Sequence, residues 1–104
     1  VSAHTGYKGL SMYASTKGAM EAFSKGVARE WGLKGIRSNC IAPGFMETNM
    51  SSTLSSEQKS RIYARNSKKM ETSLRSVSKT VEFLLSEASE SITGTVIHVD
   101  NGTI

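Results

Sequence analysis

The chain is poor in several features that point directly to a function class. Its single cysteine, Cys40, excludes an internal disulfide framework and fits a reducing compartment, so a cytoplasmic location is expected. No apolar run approaches the ~20 residues of a membrane span, and Val1-Ser2-Ala3-His4 has no signal-peptide pattern. Histidine is scarce too: His4 and His98 stand far apart with no Cys/Asp/Glu cluster beside them, so no metal site is expected. Aromatic residues make up 7% of the chain, and the densest basic cluster, Arg61 to Lys69, holds only Tyr63 among them. Nucleic-acid binding calls for basic residues gathered on one face with aromatics interleaved. The net charge of +4, from 13 basic and 9 acidic side chains, is instead spread along the chain as a solvated surface.

What remains is the composition of a small globular unit. With 104 residues, 38% hydrophobic and 21% charged, the chain is one domain at most and is not disordered. Area scaling allows about 65% of the unfolded surface to be buried, enough for one small core. Proline-free sequence from Met12 to Trp31, with Ser11 as a candidate cap, reads as a helix. Met20, Phe23, Val27 and Trp31 form one apolar stripe along it, from which Phe23 and Trp31 are expected in the core. Ala14, Gly18, Ala22 and Gly26 form a second stripe of small residues, expected to pack closely against another backbone. Gly32 and Gly35 end the helix.

A short strand is expected over Ile36–Ala42, with Cys40 as a small buried side chain, stopped by Pro43-Gly44. An irregular stretch follows from 45 to 54. Ser55-Ser56-Glu57-Gln58 reads as a capping box opening a helix to about Asn66. A third helix is expected from about Thr72, with Leu74, Val77, Val81, Leu84 and Leu85 on one apolar face. Thr95–Val99, rich in β-branched residues, is a second strand closed by Asp100-Asn101-Gly102. Strands separated by helices imply crossover connections and a parallel sheet. Two such strands make a poor sheet alone, because parallel sheets are covered on both faces. The chain therefore reads as part of something larger.

The chemistry-bearing feature is Tyr13-Ala14-Ser15-Thr16-Lys17. Positions four apart on a helix share a face, with Cβ atoms about 5–6 Å apart. An ammonium beside a phenol favours the phenolate and lowers a tyrosine pKa from its usual ~10, which makes a general acid or base usable near neutral pH. The pair follows a glycine-containing loop (Gly6, Gly9), and Pro43-Gly44 comes directly after a strand. Ligands of open α/β sheets bind beyond the carboxyl ends of strands. Met46 and Met50 either line a pocket for an acyl substrate or fill a gap.

Three ordered motifs carry a resemblance that runs over essentially the whole chain. They are Tyr13-x-x-x-Lys17, the run from Gly35 to Thr48 that contains Asn39-Cys40-Ile41-Ala42-Pro43-Gly44, and Ile92 to Gly102. Together they resemble the C-terminal part of the short-chain dehydrogenase/reductase family, most closely its 3-oxoacyl-(acyl-carrier-protein) reductases. The resemblance implies an α/β fold, the C-terminal portion of a Rossmann-like doubly wound parallel sheet with three helices and two to three strands visible. Residues 1–104 would be the catalytic and substrate half of one Rossmann domain, without its dinucleotide-binding half. It implies a hydride transferred between NADP or NAD, the former favoured, and a carbonyl or alcohol. Tyr13 matches the proton donor. Lys17 matches the lysine that holds the nicotinamide ribose and keeps the tyrosine acidic. Pro43, Gly44, Met46 and Thr48 match the segment around the nicotinamide, with Met46 giving backbone and Thr48 its hydroxyl. Phe45 to about Asn66 matches a variable lid over the substrate. Expected partners are a small-molecule or acyl-carrier-protein-bound substrate and further copies in a homotetramer or homodimer, with no nucleic acid and no membrane.

Several departures bear on that expectation. No Gly-x-x-x-Gly-x-Gly follows a strand, and the family's relay asparagine and catalytic serine would fall before Val1. Ser2 is too close to Tyr13 to replace that serine. Asn101 stands where glycine is common, and Met70-Glu71-Thr72 replaces a proline-containing turn; both changes are expected to be neutral. The chain is therefore expected to be a piece of a longer protein and inactive by itself. The alternatives are another secondary-alcohol or sugar-alcohol dehydrogenase of the same family, a non-catalytic piece giving oligomer contacts, and a basic binding module.

Overall fold

In the computed structural model, residues 11–47 and 53–103 are described. Among the described residues the frame is three α-helices and a two-stranded parallel sheet. Helix α1 covers Ser11–Trp31 and runs into a 3-10 turn, Gly32–Lys34, closed by Gly35 in the left-handed region at φ 79°. Strand β1 is Cys40–Pro43, helix α2 is Ser56–Tyr63, helix α3 is Leu74–Leu84 and strand β2 is Val96–Val99. The α/β class and the parallel pairing agree with the sequence reading, with Cys40 opposite Val96 and Pro43 opposite Val99.

The first strand begins four residues later than its apolar run suggested. The reason lies in how residues 37–39 are held. The Asn39 side chain donates to the Ile92 carbonyl at 3.0 Å and accepts from the Thr95 amide at 3.2 Å. The Ser38 amide donates to Thr93 Oγ1 at 3.0 Å. Side chains thus zip the two segments together before the ladder starts, so a regular strand appears only at Cys40. The Cys40 amide donates to the Thr95 carbonyl, just before β2, and the Gly44 amide to the Val99 carbonyl at its end. By the two-residue alternation of a strand, the missing N–H of Pro43 falls on the edge facing away from β2, where no ladder bond is lost.

Helix caps follow the sequence closely. Ser55 accepts from the Gln58 amide at 3.1 Å while its own amide donates to Gln58 Oε1 at 2.9 Å, a complete capping box. Ser73 caps α3 in the same sense, accepting from the Ser76 amide at 3.2 Å. At the far end of α3, the Leu84 carbonyl receives Arg37 Nη2 at 2.8 Å and Ser89 Oγ at 2.9 Å. These donors satisfy the orphan carbonyls a helix C-terminus leaves behind.

Burial is where the expectations fail most clearly. Of the described apolar side chains, only Ala28 and Leu84 are buried. Phe23, expected in the core, is 73% exposed, and Trp31 is 48% exposed. α1 turns a different face to the rest of the chain: Ser24 Oγ lies 2.8 Å from Ser38 Oγ, and Ala28 faces Gly94. The small-residue stripe is likewise unpacked, since a Cβ on Gly18 or Gly26 would meet nothing within 4 Å. Cys40 is only half-buried. On α3, Leu84 is covered but Leu74 is 69% exposed, and Leu85, just past the helix, is 80% exposed. Beside it, Ile41, Val81, Leu84 and Leu85 line an open groove of about 370 Å³. The total surface of 7584 Å² exceeds the roughly 5,700 Å² of a compact monomer of this mass. An apolar stripe states which face needs cover; it does not supply the cover.

Candidate functional site

The first half of the candidate site is one turn of α1. Tyr13 and Lys17 lie on the same face of the helix, with the Lys17 ammonium 5.3 Å from the centre of the Tyr13 ring. That is cation–π range. Both side chains are exposed, Tyr13 by 51%. Nearby hydroxyls turn inward to the helix backbone: Ser15 donates to the Ser11 carbonyl and Thr16 to the Tyr13 carbonyl. The phenol and the ammonium are therefore the groups this turn offers to a ligand.

The second half is the segment after β1. Gly44 leaves the sheet at the carboxyl end of the strand and donates to the Val99 carbonyl at 2.9 Å. A Cβ built on it would lie 2.6 Å from Thr72 Oγ1 and 2.9 Å from the Asp100 Cα, so a side chain has no room there. Protein, on that side, fills the space. Phe45 accepts from the Thr72 amide at 2.7 Å, and its ring meets Tyr63 edge-on with centroids 5.8 Å apart. Met46 is half-buried. Among the described residues no hydrogen bond or ion pair joins Tyr13 or Lys17 to Pro43–Glu47. Thr48, Met50, Ser2 and His4 lie outside the described residues.

Sequence reasoning missed a polar cluster next to this segment. The Glu47 carboxylate receives the Tyr63 hydroxyl at 2.9 Å and the Lys59 ammonium at 3.0 Å, both on Oε1. The Glu47 amide donates to Glu71 Oε2 at 3.1 Å. Lys59, followed by Tyr63, holds the Glu47 carboxyl below the usual carboxylate range. Partial burial and the bond to Glu47 push the Tyr63 hydroxyl up to about 12. The cluster joins α2 and the 70–72 turn to one irregular stretch, and no local spacing announces it.

The same turn is tied to the end of the chain. Asn101, at φ 58°, donates to the Met70 and Glu71 carbonyls at 3.1 and 2.9 Å. Asparagine is among the few residues that tolerate the left-handed region, which explains its place at a position suited to glycine. It also supplies two bonds that glycine could not. His98 is exposed on β2, with Nδ1 3.7 Å from Asp100 Oδ2. Among the described residues no three His, Cys, Asp or Glu side chains gather as metal ligands, and no helix is long and apolar enough to cross a membrane.

A parallel α/β frame with a tyrosine–lysine turn and a proline–glycine strand exit defines a class, and the comparison with known families agrees. The family model described as enoyl-(acyl carrier protein) reductase matches residues 1–103, and the chain belongs to the short-chain dehydrogenase/reductase family, matching its C-terminal part. Among individual proteins, it is 37% identical over 98 residues to the 3-oxoacyl-(acyl-carrier-protein) reductase FabG of Haemophilus influenzae, covering 94% of this chain and 40% of that protein. The FabG reductase of Buchnera aphidicola subsp. Baizongia pistaciae is 38% identical over 102 residues, 98% of this chain and 42% of the relative. Nodulation protein G of Rhizobium sp. (strain N33) is 38% identical over 99 residues, 94% and 40%. The chain thus spans about two fifths of the length of these relatives.

Proposed function

We propose that the full-length protein is an NAD(P)H-dependent oxidoreductase that reduces a carbonyl to an alcohol. The observation that carries this reading is the Lys17 ammonium held 5.3 Å from the Tyr13 ring on an exposed helix face. The donor set fits a nicotinamide ribose: a lysine offers three N–H donors and no acceptor, suited to paired sugar hydroxyls. Pro43, Gly44 and Met46, at the carboxyl end of β1, stand where open α/β sheets take ligands. Gly44 serves there by close packing, and Met46 by its backbone; Thr48 is assigned a hydroxyl contact.

Lys17 and the Pro43–Met46 segment would hold the nicotinamide dinucleotide, which would supply the hydride for the carbonyl carbon. In this chain, Tyr13 donates its hydroxyl proton to the carbonyl oxygen, which completes the alcohol. Lys17 then faces the phenolate left behind and stabilises it until a proton returns from solvent. Exposure of both groups supports entry of a ligand.

The relatives' names support a finer substrate reading, a 3-oxoacyl group carried on acyl carrier protein. With it go, as part of the same proposal, NADPH as the preferred donor, a cytoplasmic location and a homotetramer or homodimer, which the family resemblance implies. Residues 1–104 act as the catalytic and substrate half of one Rossmann domain. The test is consumption of NADPH and of NADH by the full-length protein with a 3-oxoacyl thioester. Turnover with either is the expected result, and none with both contradicts the reading. Another secondary alcohol or sugar alcohol as sole substrate would keep the class and replace the substrate. The 104-residue chain alone is expected to be inactive, and turnover by a verified sample of it contradicts that.

A further inference from the structure

We infer that Tyr63 and Lys59 are positioning residues for the dinucleotide site, setting the backbone of Met46 by gripping the residues on either side of it. This rests on the reading above that Met46 meets the nicotinamide end through its backbone. Phe45, just before Met46, is held by the Tyr63 ring at 5.8 Å and by the Thr72 amide at 2.7 Å. Glu47, just after it, is held by the Tyr63 hydroxyl at 2.9 Å, the Lys59 ammonium at 3.0 Å and Glu71 at 3.1 Å. One side chain, Tyr63, therefore touches both flanks of Met46, with its ring edge on Phe45 and its oxygen on Glu47.

The arrangement suits positioning better than general stability. Glu47 is exposed, so its ion pair with Lys59 adds little to folding. What the bonds do fix is direction. A free Phe45–Glu47 stretch would rotate about its φ and ψ angles, whereas two pinned neighbours leave Met46 a single course past the strand exit. Ordering a residue's backbone before a ligand arrives removes that cost from binding. α2 thereby acts at a distance from the reacting atoms, through one irregular segment.

The experiment is NADPH binding to the full-length protein by fluorescence titration, beside steady-state kinetics with KM for NADPH, KM for the carbonyl substrate and kcat measured separately. The dissociation constant is expected to follow KM for NADPH. Loss of one charge-assisted bond in Tyr63→Phe is expected to raise KM for the dinucleotide about threefold to tenfold, and by a larger factor than it changes KM for the carbonyl substrate. Lys59→Met is expected to do the same and Lys59→Arg to restore the wild-type value, a rescue that general destabilisation would not produce. Tyr63→Phe combined with Lys59→Met is expected to cost less than the sum of the two, because both act through the Glu47 carboxylate. Should Tyr63→Phe fail to fold, the Lys59→Met and Lys59→Arg pair decides. Wild-type turnover with an unchanged dinucleotide KM in the variants overturns this inference and leaves the functional reading intact. A wild-type protein that neither binds nor oxidises NADPH or NADH overturns both.

Discussion

Gly44 passes so close to Asp100 that a Cβ on the first would stand 2.9 Å from the Cα of the second, with Thr72 Oγ1 at 2.6 Å on the other flank. The strand exit, the turn after β2 and the segment leading into α3 therefore meet at a point only glycine can occupy. A motif glycine that family resemblance assigns to the cofactor has a packing role that stands without any ligand.

Gly44→Ala is accordingly expected to destabilise the full-length protein by about 1–3 kcal/mol, the usual cost of overpacking. Urea unfolding checks it. An unchanged midpoint would show that Asp100 and Thr72 move aside freely.

Thr72 gives the complementary case. It is 4% exposed, and its Oγ1 has no hydrogen-bond partner among the described residues. Replacing a buried unpartnered hydroxyl with a methyl of similar shape removes a desolvation penalty. Thr72→Val is expected to leave stability unchanged or to raise it by about 1 kcal/mol, whereas loss of stability would show a partner for that hydroxyl.

Asn101 should separate strain from bonding. Asn101→Ala keeps the left-handed backbone, loses both side-chain bonds and is expected to cost about 1–2 kcal/mol. Asn101→Gly loses the same bonds but relieves the backbone, so it should cost less. Unfolding of the two variants side by side gives the order, and equal losses would assign the whole effect to the bonds.

The Glu47 cluster, with Lys59 and Tyr63 on the carboxylate and Glu71 on the backbone amide, makes two pH windows. A carboxyl lowered in the folded state contributes stability above its unfolded value of 4.5, lost as pH falls through the lower folded value. The stability gap between wild type and Glu47→Gln should therefore close below pH 4.5. A tyrosine raised to about 12 works in the other direction: its contribution is complete below the unfolded value of 10.0 and fades as pH rises towards 12. Tyrosine absorbance titration should show a component near pH 12 that Tyr63→Phe removes.

Local signals carried most of the fold. The capping box at Ser55, the helix over Ser11–Trp31 and the parallel pairing of two short strands all depend on neighbours or on element order, which sequence displays directly. Three things were hidden for physical reasons. The start of β1 depends on Asn39 and Ser38 meeting residues more than fifty positions away. The exposure of Phe23, Trp31 and Leu85 depends on what lies across from them, which periodicity does not encode. The Glu47–Lys59–Tyr63 cluster joins a helix to an irregular stretch, where no repeat exists to read. Of the site, the Tyr13–Lys17 spacing was legible because four residues make one helical turn.

The most direct test is the rate of carbonyl reduction by the full-length protein carrying Tyr13→Phe, beside wild type, with circular dichroism to show both folded. Removing the proton donor while keeping the ring is expected to lower kcat about a hundredfold or more, the lower end of what a positioned acid contributes. A folded variant that turns over as fast as wild type would contradict the assignment of Tyr13 as the general acid.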